Sequence, residues 1–229
     1  MKLAPVDVHC HLLPGVDDGF RDSESSLKAI RTMAGAGCSR IIFTPHMNPD
    51  VYPEMDEAGL KAAYEAFVPM LPEGVKTHLA AEYMVVNDFD DRDPSELLTY
   101  PDGSILIEMS YYFRSRNLEQ SIFNLNMAGL KPILAHPERY PYMVDCLGDF
   151  DKLADMGCRF QLNYRSLTGK YGKPSIQIIK YLMKRGLYSY IATDLHSCEQ
   201  LDFIMKSGVP LLLRKGHSRL ISVDFPDCF

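Results

Sequence analysis

Seven short apolar runs recur along the chain, each followed by a longer stretch with helical character, and this alternation limits the fold more than any other feature. The runs are Val6–His11, Arg40–Pro45, His78–Tyr83, Ser104–Met109, Pro132–His136, Arg159–Asn163 and Tyr188–Thr193. Their hydrophobicity is continuous rather than strictly alternating, as in strands covered on both faces, and strands alternating with helices predict an α/β fold with a parallel sheet. Between the first two runs, Asp22 or Ser23 can cap a helix with Leu27, Ile30, Met33 and Ala34 on one face, and Gly35 and Gly37 can end it. Further helices are expected at Asp56–Met70, Asn117–Ala128, Asp149–Met156 and Pro174–Arg185, the last opening on a proline suited to a first turn.

With 229 residues and no repeat, linker or low-complexity tract, one domain over 1–229 is expected, and a βα barrel of this size is ordinary. The pattern weakens after Ser197. There a basic stretch (Arg214, Lys215, His217, Arg219) and an aperiodic apolar run leave 197–229 as a tail of uncertain fold. The formal net charge of −6 carries no basic excess, which argues against nucleic acid as a partner. Met1-Lys2-Leu3-Ala4-Pro5 leads straight into a strand, and no apolar run is long enough to span a membrane. A cytoplasmic location is therefore expected. Cys10, Cys38, Cys146, Cys158, Cys198 and Cys228 form no close pair, which fits free thiols.

His9-Cys10-His11 ends the first run, where strand alternation sends His9 and His11 to one face and Cys10 to the other. Such a pair alone is weak evidence of a metal site. However, every run except the sixth ends in a potential ligand: His9 and His11, then His46, Glu82, Glu108, His136, and the pair Asp194 and His196. In a βα barrel these strand ends converge on the catalytic face. Any one of them could be a satisfied core histidine or a solvated acid; the set is hard to explain so. Imidazole and carboxylate without thiolate suit zinc, manganese or iron, and so many ligands imply two or three divalent ions. Clustered ions are suited to phosphoester hydrolysis.

Two more features bear on this chemistry. The loop Leu12-Leu13-Pro14-Gly15-Val16-Asp17-Asp18-Gly19 places two acids beside the first strand end, with an Asp-Gly turn as the alternative explanation. Asp18 is preferred as a ligand, although spacing alone does not separate it from Asp17. Arg139, three residues beyond His136, is within reach of a phosphate held by the metals, or could serve as a surface salt-bridge partner. No CxxxxxR loop is present, so a cysteine nucleophile is not supported.

Residues 9–19, Thr44-Pro45-His46, Ala135-His136-Pro137-Glu138-Arg139-Tyr140 and Thr193-Asp194-Leu195-His196 together resemble the polymerase and histidinol phosphatase (PHP) superfamily. The long first motif and the His-Pro-Glu-Arg-Tyr segment are most similar to the CpsB/YwqE group, metal-dependent protein-tyrosine phosphatases of bacterial capsule and exopolysaccharide operons. The resemblance covers roughly the first 197 residues, with the four motifs in the expected order. It implies a distorted (β/α)7 TIM-like barrel, the PHP fold. It also implies three ions: one held by His9, His11, Glu82 and Asp194, a second by Glu82, Glu108 and His136, a third by Asp18, His46 and His196. Manganese is the preferred metal. Arg139 would neutralise the phosphoryl group while a metal-bridging hydroxide attacks phosphorus in line. The implied partner is a phosphotyrosine protein such as a tyrosine autokinase, and Ser166–Gly172 would belong to the substrate rim. Cys10 stands where the group commonly has a small hydroxyl residue, and the tail departs from the group's last helices. The rival readings are a phosphatase for histidinol phosphate or another small ester, a PHP phosphodiesterase, and a non-enzymatic scaffold; the last is disfavoured because every ligand position is filled.

Overall fold

Capping and apolar spacing place the helices close to where the sequence predicts them. The structure, a computed structural model, describes residues 2–86 and 88–214. In α1 (Ser23–Gly35), the Asp22 side chain accepts a hydrogen bond from Ser25 N, and the helix buries Leu27, Ala29, Ile30 and Met33. Asp56 does the same for α2 (Glu57–Phe67) through Gly59 N. The others are α3 (Leu118–Met127), α4 (Gly148–Asp155) and α5 (Gly172–Arg185), and α5 ends on Gly186 in the left-handed region (φ 69°). The tail region is helical as far as it is described: α6 (Cys198–Phe203) passes through a wide turn at 204–208 into α7 (Val209–Arg214). Lys215, His217, Arg219 and Cys228 lie outside the described residues.

The strands are β1 (Val6–Asp7), β2 (Arg40–Phe43), β3 (His46–Met47), β4 (Lys76–Leu79), β5 (Glu82–Met84), β6 (Ser104–Glu108), β7 (Lys131–Ala135), β8 (Arg159–Asn163) and β9 (Tyr188–Ala192). All pairings are parallel, in the orders β1-β2-β4 and β3-β5-β6-β7-β8-β9. The third predicted run is thus broken in two at Ala80-Ala81, and the second stops at Phe43, with β3 resuming just beyond Thr44-Pro45. Pairing nevertheless continues across both breaks, through Ala80 N to Phe43 O at 2.8 Å and Glu82 N to Pro45 O at 3.0 Å. At the other end of the series, Asp194 N donates to His9 O at 2.8 Å and His11 N to Leu195 O at 3.0 Å. The seven runs therefore form a ring whose first and last members share no regular ladder and meet through this short bridge. This is a distorted barrel.

Two apolar clusters fill the molecule. The smaller one plugs the ring: Val6, Val8, Ile42, Ala80, Tyr100, Leu106, Ile133, Ala135, Tyr190 and Ala192. The larger packs the outer strand faces against the helices and includes Ile41, Phe43, Leu134, Phe160, Ile178 and Leu182. Two-residue alternation then carries the chain from the plug to the chemistry. Two positions beyond Ala80 is Glu82, two beyond Leu106 is Glu108, and two beyond Ala192 is Asp194. No helix among the described residues is long and apolar enough to cross a membrane.

Candidate metal centre

All nine predicted ligands converge at the C-terminal ends of the strands. His9 Nε2 lies 3.1 Å from His11 Nε2, and these atoms are 3.3 and 3.5 Å from Glu82 Oε2. His46 Nδ1 is 3.1 Å from Glu82 Oε2 and 2.9 Å from Glu108 Oε1, while His136 Nε2 is 3.0 Å from Glu82 Oε1. Asp194 Oδ1 faces His9 and His11 at 3.5 and 3.4 Å, and Asp18 Oδ1 is 3.5 Å from both His46 Nε2 and His196 Nε2. Four groups each bring their ligand atoms within 4.8 Å of one another: His11, Asp18, His46 and His196; His9, His11 and Glu82; His9, His136 and Asp194; and His46, Glu82 and Glu108. The third predicted set, Asp18, His46 and His196, is together. Of the second, His136 lies against Glu82 at 3.0 Å, while Glu108 and Glu82 also group with His46, and His136 with His9 and Asp194.

The donor set passes a test of fit for divalent cations. Both Glu82 carboxylate oxygens and both His136 ring nitrogens are buried and lack a hydrogen bond of proper geometry. Leaving such groups without a partner costs roughly 1–3 kcal/mol each, which coordination would recover. Burial opposes ionisation of Glu82, yet His9 and His46 hold it well below the ordinary carboxylate range; for Asp194, His9, His11 and Arg139 overcome burial in the same way. The pocket thus stabilises anions and presents imidazoles to them, and metals bind such rings in their neutral form. Two of the predicted ligands, His136 (φ 30°) and Asp194 (φ 49°), occupy the left-handed region without being glycine. Each costs of order 1–3 kcal/mol, a kind of strain concentrated at functional sites.

A second layer aims these side chains. Gln161 Oε1 faces His9 Nδ1 at 2.9 Å and Asp17 Oδ2 faces His11 Nδ1 at 2.7 Å, leaving both Nε2 atoms directed inward. Asp17 also accepts from His46 N at 3.0 Å and from Gly19 N at 2.9 Å, and its side chain is fully buried. The Asp18 side chain is 60% exposed, and only Asp18 of the two joins a ligand group. Gly19 is obligatory: a Cβ there would lie 2.2 Å from His11 O. Cys10 packs in the outer core with its thiol on Ile42 O, away from the metal face as alternation predicts.

Arg139 Nη1 donates to Asp194 Oδ2 at 2.7 Å, and its guanidinium lies 4.4 Å from the centre of the Tyr111 ring and 4.9 Å from that of Tyr171. Asn163 Nδ2 donates to the same oxygen at 2.6 Å, so Oδ2 is taken up and Oδ1 is left for the centre. The motifs do not single out Gln161, Asn163 or Tyr111, whereas Tyr171 falls in the segment expected at the substrate rim. The first two were legible as polar residues two apart on a run where apolar side chains belong.

A parallel βα ring carrying a buried histidine–carboxylate cluster on its strand ends defines a metal-dependent phosphatase of the PHP type. The model of the CpsB/CapC family, described as capsular polysaccharide synthesis, matches residues 5–222, and the chain belongs to that family. The match extends beyond the roughly 197 residues that the motifs indicated. The chain is 29% identical to the tyrosine-protein phosphatase YwqE of Bacillus subtilis (strain 168), over 94% of this chain and 86% of that protein. It is 24% identical to the tyrosine-protein phosphatase CpsB of Streptococcus pneumoniae, over 97% and 95%. A structure from work on YwqE and CpsB, described as unique metal-dependent tyrosine phosphatases, matches with TM-score 0.82 and 27% identity, covering 94% of this chain and 89% of that one. A histidinol phosphate phosphatase from Lactococcus lactis, with zinc, L-histidinol and phosphate, shares the fold at TM-score 0.54 and 14% identity, covering 90% and 94%.

Proposed function

We propose that the protein is a metal-dependent protein-tyrosine phosphatase of capsule or exopolysaccharide synthesis. The observation that carries this reading is the buried Glu82 carboxylate, ringed by His9, His11, His46 and His136 and lacking hydrogen bonds of its own. His9, His11, Asp18, His46, Glu82, Glu108, His136, Asp194 and His196 would hold two or three divalent ions, manganese in preference to iron or zinc. Ions bound there supply Lewis acidity, activating water and polarising a phosphoryl oxygen. Arg139 has five N–H donors, of which one is engaged by Asp194. Anchored there and stacked on two tyrosines, it is pre-set to take up charge on the phosphoryl oxygens. A phenolate leaves readily, so no dedicated general acid is required of the chain.

The natural substrate on this reading is a phosphotyrosine protein, such as a bacterial tyrosine autokinase, met in the cytoplasm by a single-domain enzyme. Arg139→Ala is expected to retain its metal content and lose about 100- to 1000-fold in kcat on phosphotyrosine peptides. Loss of metal together with rate would instead make Arg139 a support for Asp194. Turnover of histidinol phosphate well above that of the peptides would transfer the assignment to the small-ester class.

A further inference from the structure

Beyond Asn163 the chain turns sharply through 164–168. Asn163 Oδ1 accepts from Arg165 N at 2.9 Å while Asn163 Nδ2 holds Asp194, so this turn is tied directly to the metal centre. Arg165 is only 8% exposed, and among the described residues it makes no side-chain hydrogen bond or ion pair. Its side-chain nitrogens are not among the sealed, unpartnered atoms, so the stem is buried while the guanidinium reaches solvent as a cation without a carboxylate, open to an anion from outside. Nearby, the Tyr171 and Ser175 hydroxyls are buried without hydrogen-bond partners, and both residues line a cavity of about 290 Å³ shared with Tyr111, Glu138, Arg139 and Pro141. Glu138 is held elsewhere, its oxygens accepting from Asn163 N and Tyr188 Oη, each at 2.9 Å, and it forms no ion pair with these cations. Lys170 stands on the exposed side of the turn, and partial burial together with Arg165 and Arg139 draws its ammonium below the ordinary lysine range. Arg139 lines the cavity itself, and Arg165 is near enough for its charge to act on Lys170 and on the cavity-lining Tyr171.

We propose that Arg165, with Lys170 and Tyr171, forms an anion-binding subsite that takes the carboxylate of an acidic residue flanking the phosphotyrosine of the substrate protein. This inference rests on the phosphatase reading above. It makes Arg165 a determinant of specificity, acting on a part of the substrate remote from the reacting phosphorus. A charge-assisted hydrogen bond of this kind corresponds to about tenfold in affinity, and it weakens as salt rises.

The test uses the metal-loaded protein and peptides carrying a non-hydrolysable phosphonate in place of phosphotyrosine, with aspartate or asparagine on either side. Fluorescence anisotropy should show the aspartate peptide bound about tenfold more tightly, a preference lost in Arg165→Met and partly restored in Arg165→Lys. Lys170→Met, at an exposed position, should reduce the preference by a smaller factor and serves as the second variant if Arg165→Met does not fold. The same peptides made with phosphotyrosine should show the difference in KM rather than kcat. No preference in the wild type, or an equal one in Arg165→Met, overturns the subsite. Failure of the metal-loaded protein to hydrolyse any phosphotyrosine peptide sinks the phosphatase reading instead, and the binding measurements then still decide the subsite.

Discussion

Asp17 and Asp18 are chemically alike and adjacent, yet burial gives them different tasks. Asp17 is sealed beneath the His11 ring, accepting from two backbone N–H groups as well, while Asp18 stands open towards His46 and His196. Asparagine at position 17 would turn an amide donor towards one of those N–H groups and release the His11 ring. Metal affinity of Asp17→Asn should therefore fall about 10- to 100-fold, measured by titration against a competing chelator. Unchanged affinity would remove Asp17 from the orienting role. The sequence shows two acids before a glycine but not which one the turn folds inward. That choice depends on Gly19 letting the loop close against His11 O, a contact across eight residues that spacing does not reveal.

Among elements, the joint between the first and last strands is an isolated bridge, flanked by His9, His11, Asp194 and His196. Thr193 reinforces it, since its N–H and hydroxyl both donate to the buried Asp7 carboxylate. Thr193→Val keeps the shape, removes the hydroxyl donor and should cost about 1–3 kcal/mol in urea unfolding. A loss within error would mean that the backbone donor alone suffices. The strands themselves were legible because covered parallel strands must be apolar throughout. Their breaks were less so: Pro45, which lacks an N–H, marks one, whereas nothing in Ala80-Ala81 distinguishes a bend from a continuous strand. The helices after Ser197 were missed because they are short and joined through a wide turn, which erases any helical period.

For the molecule as a whole, the candidate centre gathers its side chains from the six-stranded sheet, from the joint that closes the ring and from the loop after it, so metal binding there would be linked to global stability. Complete chelation should abolish phosphotyrosine hydrolysis and lower the melting temperature. A metal present at a hundred times its Kd accounts for about 3 kcal/mol of stability. Restoring divalent ions should recover both properties. Rate surviving full removal would rule out the metal-dependent reading, and an unchanged melting temperature would show that the ring holds without its ions.

The joint has a consequence in time as well as in space. His9 and His11 are made before every strand of the ring but β1, whereas Asp194 and His196, which complete their surroundings, are made only after the last of them. A chain halted anywhere before β9 carries imidazoles and carboxylates in abundance and no finished site. Ions can be captured in their final arrangement only after β9 and the residues that follow it have been made, so a shorter nascent chain is expected to have no phosphatase activity to misdirect.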